Sequence, residues 1–461
     1  MVENRVMLAD SYKYSQPPQY PGNMIGMYDY MEARKNKTGK VVFFGAQYIL
    51  KEYFSTPITI GEVMEAYRYA EGHGEPFDLG GWTYIVHELG GMLPVKISSL
   101  PEGGVYPTGV PLMVIQYTDE KVAWVVGWLE TVLMKVWYPT AVATKSYEVR
   151  QLLLKYAEMT QDNPFVDFQY HNFGDRGSTC VEAAGIGGVA HLTQFLGTDN
   201  FNSLRYCEEF YNNVDDPLIA GYSIPATEHS TVTSWGREGE FDFYDNFLEI
   251  NKERDLIACV VDSYDPYKAT DYLTSGEYKE KVESEEYPNF VLRPDSGEPE
   301  AVVTTMIRIM EANNVAFTVN DKGFKVFTNY SILWGDGITP HQIAIILHVV
   351  TQLGYSSSIM AFGSGGDLMQ NVNRDTNGFA VKCSSITLAY LDGVEEREVY
   401  KDPITDPGKK SKRGKVAAIR NSNGVYSAGY AVDSRNAMEV IYLNGKLMKT
   451  HNFEEIRKAS R

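Results

Sequence analysis

The chain has 461 residues, of which 44% are hydrophobic and 22% charged, a balance typical of a globular protein with a large core. Its formal net charge of -18 disfavours general binding to nucleic acids or anionic membranes, so neither is expected as a partner. The chain has no apolar run of about 18 residues that would predict a membrane span. Its start, MVENRVMLADSYKYS, lacks an apolar signal core, which favours a cytoplasmic protein.

The four cysteines are widely separated along the chain. They are Cys180, Cys207, Cys259 and Cys383, and no two of them have the CxxC spacing. Neither a zinc site nor a disulfide framework is therefore indicated. We expect buried, reduced thiols.

The N-terminal third mixes strands and helices. KVVFFGAQYIL predicts a strand that runs into a helix, and VPLMVIQYTD predicts a second strand. VAWVVGWLETVLMKVWYP predicts a buried helix that ends at Pro139.

A different rhythm begins at about Asp167. Short apolar runs recur, each with Gly, Asp or Arg at its end, in DFQYHNFGDRG, TQFLGTDN, AGYSIPATEHS, LIACVVDSYD, NFVLRPDSGEP, YSILWGDGI, SSIMAFGSGGD and GFAVKCSS. Helical spacing between the runs is clearest in PEAVVTTMIRIMEANN and TPHQIAIILHVVTQLGY. This alternation predicts parallel strands, and about eight such units would close a (β/α) barrel with its active site at the strand C-terminal ends.

The rhythm is lost after about Ser385. VYKDPITDPGKKSKRGKVAAI predicts a loop rich in Pro, Gly and Lys that leads to short strands. We expect this tail to return and pack on the N-terminal third.

Candidate ligand-binding groups follow several predicted strands. Gly363, Gly365 and Gly366 in AFGSGGD offer backbone N–H groups to a phosphate, although such glycines serve equally often as plain turns. Asp336 in WGDG has the same position after its strand and is available to sugar hydroxyls.

Three further carboxylates indicate either a cation or helix caps. Asp262 and Asp265 lie in VVDSYD, and Asp295 lies in RPDSG. Carboxylates that converge on a phosphorylated ligand usually act through Mg²⁺, whereas Asp at a strand-helix turn can simply cap the helix. His229 next to Glu228 in PATEHST is either a proton shuttle or nucleophile, or a structural histidine.

Three motifs are weaker than their patterns suggest. GIGGVA, at 185–190, fits a dinucleotide fingerprint but follows the helical CVEAA, so close helix packing is favoured. KNKTGK lacks the first glycine of a phosphate-binding P-loop. KKSKRGK, at 409–415, is interpreted as an anion-binding loop because the chain as a whole is acidic. Together the residues indicate a barrel enzyme that acts on a phosphorylated sugar with Mg²⁺, and they leave the acceptor open.

The chain resembles the nicotinamide phosphoribosyltransferases nearly end to end. The matching motifs are ADSYKYS, FFGAQYIL, WYPTAVAT, FGDRG, GTDN, GYSIPATEHST, VVDSYD, RPDSGEP, GDGI, AFGSGGDLMQ, KDPITDPGKKSKRGK and FEEIRK, in this order. The resemblance implies an irregular (β/α) barrel at residues 161–385 and a second α/β domain formed by residues 1–160 and 386–461. It also implies a homodimer with shared active sites.

The implied reaction joins nicotinamide to 5-phosphoribosyl 1-pyrophosphate and gives nicotinamide mononucleotide and pyrophosphate, in NAD salvage. ATP hydrolysis through a phosphohistidine would be coupled to it, with Mg²⁺ as cofactor. The resemblance assigns the phosphorylated position to His229, with Glu228 beside it, and places Asp262 and Asp295 near the metal, directly or through water.

The resemblance also assigns the binding residues. Nicotinamide would contact Tyr12 from the partner subunit and Phe173, Asp199, Arg293 and Arg176. Ribose and its 5′-phosphate would contact Asp295, Asp336, Gly335, Gly365 and Gly366. The pyrophosphate or the phosphates of ATP would contact Arg34, Arg374, Lys382 and Lys401.

Two residues depart from the family pattern. Asp175 stands in FGDRG where animal members have tyrosine, and Asp367 follows GSGG where a further glycine is common. Either is expected to alter the entrance or the phosphate loop. The segment after Arg34 is also short, so a family insertion is missing.

Three alternative functions fit the sequence less well. Nicotinate phosphoribosyltransferases share the chemistry, but the carboxylate of Asp199 would repel nicotinate. A catalytically idle binding protein on the same scaffold would not need His229 and Asp295. An unrelated barrel lyase or isomerase would need a Lys or Glu base at a strand end, and no candidate is as well placed as these motifs.

Overall fold

The structure, a computed structural model, describes residues 4–212, 219–335, 337–406 and 409–461. Its α-helices are α1 (Ala46–Phe54), α2 (Ile60–His73), α3 (Leu79–Glu88), α4 (Val125–Trp128), α5 (Glu130–Met134), α6 (Trp137–Thr160), α7 (Val181–Leu192), α8 (Phe201–Tyr211), α9 (His229–Thr233), α10 (Glu240–Ile250), α11 (Pro266–Leu273), α12 (Gly276–Val282), α13 (Pro299–Ala312), α14 (Pro340–Gln352), α15 (Gly366–Gln370) and α16 (Phe453–Ser460). Its strands are β1 (Met24–Ala33), β2 (Lys40–Val42), β3 (Val95–Ser99), β4 (Val105–Pro107), β5 (Pro111–Tyr117), β6 (Tyr170–Asn172), β7 (Gly197–Thr198), β8 (Leu256–Val260), β9 (Asn289–Arg293), β10 (Phe317–Val319), β11 (Lys325–Phe327), β12 (Tyr330–Trp334), β13 (Met360–Ser364), β14 (Phe379–Tyr390), β15 (Gly393–Glu398), β16 (Val416–Arg420), β17 (Tyr426–Tyr430), β18 (Glu439–Leu443) and β19 (Lys446–Leu447).

The chain forms two compact units. The first unit is Met1–Thr144, Tyr206–Pro217 and Val372–Arg461, and the second is Lys145–Arg205 and Leu218–Asn371. Two boundaries between the units lie closer to the N-terminus than the domain boundaries expected at residues 160 and 385. The first follows Thr144, at a position inside α6, and the second follows Asn371, before β14.

The second unit contains a ring of parallel strands. Six strands lie in the order β7-β6-β13-β12-β9-β8, and all neighbours are parallel. The segment Tyr222–Ala226 then bridges both edges, since Tyr222 pairs with Gly197 on β7 and Ala226 with Ala258 on β8. The ring is closed by this segment, and the predicted barrel class is confirmed.

Seven of the eight predicted strand runs belong to this ring, and the eighth does not. GFAVKCSS lies in β14, which pairs antiparallel with β1 in the first unit. The prediction that it follows the barrel rhythm was wrong. An apolar run has the same pattern in the centre of either kind of sheet, so periodicity alone did not separate the two.

The first unit is built on an antiparallel sheet that uses both ends of the chain. Its strand order is β15-β14-β1-β5-β3-β18-β19. N-terminal strands β1, β5 and β3 thus lie between strands from the C-terminal tail. The expected return of the tail to the N-terminal third is confirmed.

Local predictions in the N-terminal third are confirmed except for the single helix predicted to end at Pro139, where the structure has α4, α5 and the start of α6. KVVFFGAQYIL forms β2 and α1, and VPLMVIQYTD forms β5. Pro139 lies in the first turn of α6 instead of ending a helix. Proline is tolerated there because the first N–H groups of a helix have no intrahelical acceptor.

The glycine motif GIGGVA lies inside α7, as its helical context indicated. A Cβ on Gly188 would lie 2.4 Å from Cβ of Ser203, so the glycine permits close packing there. Among the cysteines, Cys207 and Cys259 are buried and free, but Cys180 is exposed, contrary to expectation. Within the described ranges, no helix combines the length and apolar character needed to cross a bilayer.

The carboxyl group of Asp29 lies buried in the antiparallel sheet. Asp29 on β1 is 3% exposed and pairs with Cys383 on β14. Burial, reinforced by the negative charge of Glu130, raises the pKa of Asp29 to about 7. Burial favours the protonated acid. The folded state therefore keeps this proton up to a pH of about 7, whereas the unfolded chain loses it at lower pH.

We expect this group to weaken the fold as pH rises. The contribution of Asp29 to the free energy of unfolding is fully present below the pKa that this carboxyl group has in the unfolded chain. It is lost as pH rises through about 7, its pKa in the folded state. Asp29→Asn should therefore gain roughly 3 kcal/mol in unfolding free energy relative to wild type between pH 5 and pH 8. Urea unfolding at both pH values measures this, with Asp392→Asn in the exposed β14–β15 turn as control. A constant difference between Asp29→Asn and wild type would contradict the prediction.

Candidate active site

The predicted ligand-binding residues of the second unit follow the C-terminal ends of the ring strands. Phe173 follows β6, Asp199 follows β7, His229 follows the bridging segment, Asp262 follows β8, Asp295 follows β9, Gly335 follows β12, and Gly365 and Gly366 follow β13. Because all the strands are parallel, these residues lie at one edge of the ring, where barrel enzymes bind their substrates.

Asp262 is the centre of a hydrogen-bond network at this edge. Its side chain is 1% exposed, and its Oδ1 lies 3.0 Å from Nε2 of His229. Its Oδ2 accepts from the backbone N–H of Asp295 at 3.0 Å and from the hydroxyl of Ser296 at 2.5 Å. One buried carboxylate therefore positions both the histidine and the RPDSG turn.

This network defines the orientation of the His229 ring. A carboxylate at Nε2 favours the tautomer in which Nε2 carries the proton and donates it. Nδ1 then bears the lone pair and faces the carboxylate of Asp295, with Oδ2 at 3.9 Å. The histidine side chain is 45% exposed, so a ligand can reach it.

Phe173 and Arg293 form one wall of the site. The guanidinium carbon of Arg293 lies 5.2 Å from the Phe173 ring centroid, a cation–π distance. The ring lies against Gly363, where a Cβ would approach it to 2.0 Å, so only glycine leaves it room. The Phe173 backbone N–H donates to the carbonyl of Ser364 at 2.9 Å, which fixes the position of Phe173 next to β13.

Asp199 lies exposed beyond the short strand β7. Its Oδ1 accepts from the Ser223 hydroxyl at 2.5 Å, and its backbone N–H donates to the carbonyl of Asn172 at 3.0 Å. Ser223 belongs to the bridging segment and was missed by sequence reasoning. No local motif singles it out, because its role depends on the closure of the ring.

His171 was also missed, although a signal was present. It lies two residues before Phe173 on β6, so strand alternation puts both side chains on one face. Its ring centroid lies 6.0 Å from that of Phe173, and its Nε2 lies 2.7 Å from the Phe168 carbonyl. Burial lowers the pKa of His171, so the ring is neutral at neutral pH.

Gly335 and Gly365 adjoin the same groups. A Cβ on Gly335 would lie 2.5 Å from Nε of Arg293 and 3.0 Å from Oδ1 of Asp295. Gly366 has open space around its Cβ position, whereas a Cβ on Gly365 would lie 3.3 Å from the Phe173 carbonyl oxygen. The predicted residue Asp336, next to Gly335, lies outside the described residues.

Other predicted residues have simpler environments. Asp265 caps α11 by accepting from the backbone N–H groups of Tyr267 and Lys268, which is the capping alternative. Glu228 is exposed and accepts from the hydroxyl of Ser230, while the partner of His229 is Asp262. Arg176 is exposed in the loop after Phe173.

The remaining predicted residues lie in the first unit. Tyr12 is 53% exposed, and Arg374 and Lys401 are exposed. Arg34 pairs with the buried carboxylate of Glu32 at 3.2 Å, and the ammonium of Lys412 pairs with the same carboxylate. Burial lowers the pKa of Lys382 on β14.

The described residues hold no group of three or more His, Cys, Asp or Glu side chains placed to bind a metal. Both oxygens of Asp262 already accept hydrogen bonds from the protein. Asp295 is the more accessible of the two predicted metal carboxylates, with its side chain 23% exposed.

Comparison with known proteins identifies the chain as a phosphoribosyltransferase. The family model described as the nicotinate phosphoribosyltransferase (NAPRTase) family matches residues 168–440, and a model of the nicotinamide phosphoribosyltransferase N-terminal domain matches residues 4–97. Because the first match covers more than half of the chain, the chain belongs to the nicotinate phosphoribosyltransferase family. It is an enzyme of the pentosyltransferase class.

Two curated relatives cover nearly the whole chain. A nicotinamide phosphoribosyltransferase of Xanthomonas campestris pv. campestris is 40% identical over 469 aligned positions, which cover 99% of this chain and 98% of the relative. A nicotinamide phosphoribosyltransferase of Acinetobacter baylyi is 28% identical and covers 99% of this chain and 96% of the relative.

The solved structures include one with a similar fold at low identity. A nicotinate-nucleotide pyrophosphorylase from Pyrococcus furiosus has a TM-score of 0.61 and 14% identity, and it covers 99% of this chain and 94% of its own. At this identity the likeness shows the fold alone, and it agrees with the barrel and the antiparallel sheet described above.

Proposed function

We propose that the enzyme transfers the phosphoribosyl group of 5-phosphoribosyl 1-pyrophosphate to nicotinamide and forms nicotinamide mononucleotide in NAD salvage. The observation that carries this choice is the carboxylate of Asp199, held by Ser223 at the edge of the ring. A carboxylate accepts a hydrogen bond from a carboxamide NH₂, whereas it repels the carboxylate of nicotinate. The two curated relatives carry the same name as this activity.

In this proposal the base lies against Phe173. Arg293 donates to the amide oxygen, and the second oxygen of Asp199 accepts from the amide nitrogen. Tyr12 of the partner subunit and Arg176 complete the pocket. A flat ring that becomes cationic in the product is well matched by aromatic faces.

The transfer needs no protein nucleophile on carbon. The bond between C1 of the ribose and pyrophosphate breaks, and its electron pair leaves with pyrophosphate. The ring nitrogen of nicotinamide donates its lone pair to C1. Asp295 and Asp336 bind ribose hydroxyls, and Gly335, Gly365 and Gly366 bind the 5′-phosphate. Arg34, Arg374, Lys382 and Lys401 bind the pyrophosphate or the phosphates of ATP, where they stabilise the developing negative charge.

The residues present fit Mg²⁺ as a cofactor. Magnesium is usually held by one or two carboxylates together with substrate phosphates. The carboxylate of Asp295 would be the protein ligand, and Asp262, whose oxygens are occupied, would act on the metal through water. When bound, Mg²⁺ would neutralise charge on the leaving group.

We also propose that ATP phosphorylates His229 and so couples its hydrolysis to product formation. Nδ1 attacks the γ-phosphorus, the bond to ADP breaks, and ADP leaves with that electron pair. Asp262 accepts the Nε2 proton in a hydrogen bond and stabilises the ring as its positive charge develops. Water later takes the phosphoryl group as inorganic phosphate and restores the histidine.

The choice of base is tested at Asp199. Asp199→Asn removes the charge and can donate to a carboxylate, so the ratio of kcat/KM for nicotinamide over nicotinate should fall about tenfold or more, or about 1.4 kcal/mol. Steady-state kinetics with both bases measures it. Asp255→Asn, which removes an exposed charge before β8 at the opposite edge, is the control. An unchanged ratio would show that Asp199 is not the selector.

The coupling is tested at His229. His229→Ala should abolish ATP hydrolysis and its stimulation of product formation but leave slow transfer without ATP, because the ribose-binding residues are untouched. His341→Ala, which removes an exposed histidine of α14, is the control. Labelling with γ-phosphate-labelled ATP measures the acid-labile phosphate on each protein. Label on His229→Ala at the wild-type level would place the phosphorylated residue elsewhere.

The proposed homodimer with shared sites is tested by complementation. Tyr12→Ala and Asp295→Ala should each be nearly inactive alone, since each lesion removes part of every site. In a mixed dimer both lesions meet in one site and leave the other intact, so activity should return to about half of wild type if the sites act independently. Native mass spectrometry confirms that mixed dimers form. Mixed dimers without recovered activity would refute the contribution of Tyr12 across the interface.

A further inference from the structure

A buried ion pair adjoins the glycine loop that follows β13. Nζ of Lys145 on α6 lies 2.6 Å from Oδ2 of Asp367, and the two side chains are 13% and 11% exposed. The same ammonium donates to the backbone carbonyl of Asp367 at 2.5 Å. The other carboxylate oxygen accepts from Nδ2 of Asn371 at 2.7 Å. Lys145 thus contacts both the side chain and the main chain of Asp367.

Asp367 directly follows Gly366 in the glycine loop. The loop is fixed on its other side, because the Phe173 N–H donates to the Ser364 carbonyl. Gly174 packs against the same loop, where an added Cβ would lie 2.9 Å from the carbonyl oxygen of Gly365. Lys145 and the turn after β6 therefore hold the loop from different elements.

The charges of Lys145 and Asp367 affect how the loop interacts with a bound phosphate. A lone carboxylate one residue after Gly366 would repel a phosphate bound at this loop, and the buried setting would screen that repulsion weakly. The ammonium of Lys145 cancels that charge. A largely buried ion pair is by itself weak evidence for a stabilising role.

We propose that Lys145 and Asp367 are positioning residues that set the affinity of the Ser364–Asp367 loop for the 5′-phosphate of 5-phosphoribosyl 1-pyrophosphate. This inference rests on the proposed function, in which Gly365 and Gly366 bind that phosphate. Neither side chain touches the ligand. Lys145 acts by neutralising the carboxylate of Asp367.

The test uses opposite charge effects from the two halves of the pair. Lys145→Met leaves the carboxylate alone and should weaken binding of 5-phosphoribosyl 1-pyrophosphate about tenfold, whereas Asp367→Asn leaves the ammonium alone and should tighten it about threefold. The double variant should return to within about twofold of wild type, because both charges are gone. Salt should change both single effects little because the pair is largely buried, and KM for nicotinamide should stay unchanged.

Titration calorimetry with 5-phosphoribosyl 1-pyrophosphate on the full-length enzyme measures these affinities, and thermal midpoints report the fold of each variant. A purely structural pair would weaken binding in both single variants, and that result would overturn the inference. Unchanged binding in both, or no binding by wild type, would overturn it as well. If Lys145→Met does not fold, Asp367→Asn decides: tighter binding supports the inference, and equal or weaker binding overturns it.

Product formation by wild type is measured separately. An enzyme that binds 5-phosphoribosyl 1-pyrophosphate with these charge effects, yet makes no nicotinamide mononucleotide, would refute the proposed function and keep the role of the pair. An active enzyme without the charge effects would refute the role of the pair alone.

Discussion

The short segment Tyr222–Ala226 hydrogen-bonds to both edges of the parallel sheet, and the arrangement of the site depends on it. The N–H of Tyr222 donates to the carbonyl of Leu196, and the N–H of Ala258 donates to the carbonyl of Pro225. These bonds close the ring. They also place Ser223 beside Asp199 at one end of the segment and lead to His229 beside Asp262 at the other. The group proposed to select the base and the group proposed to receive phosphate are thus positioned by a single stretch of backbone.

Asp262, Asp199 and Asp367 differ in their burial and in the groups that contact their carboxylates. Asp262 is buried, and its oxygens accept bonds from three protein groups, so it orients other residues. Asp199 is exposed, and its Oδ1 accepts a hydrogen bond from Ser223. Asp367 is held by Lys145, and its charge is cancelled within the protein. The same kind of side chain therefore orients neighbouring residues, is proposed to recognise the base, or has its charge neutralised within the protein, according to its partners.

Sequence patterns predicted well which of the candidate residues follow strands. Phe173, Asp199, Asp262, Asp295 and the glycines were all placed after predicted strands, and the structure puts them at one edge. Parallel strands make this inference possible, because residues far apart in sequence must end at the same edge.

The sequence was less informative where a role depends on tertiary pairing. The run in β14 was assigned to the barrel because a buried strand has the same apolar pattern in either sheet. Lys145 lies among ordinary helical residues, and only its contact with Asp367 distinguishes it. Ser223 acquires its partner through ring closure. Pro139 was taken as a helix end because proline ends a helix or begins one, and its position in the sequence does not say which.

The order of strands in the antiparallel sheet has a consequence for synthesis on the ribosome. β1 is almost entirely buried and lies between β5 and β14. β5 follows soon after it, but β14 emerges only after the whole second unit has been made. At the usual rate of translation, one edge of β1 waits roughly 20 to 70 s for its partner strand. During that interval the nascent chain carries a strand with an open edge, which is a template for pairing with another chain.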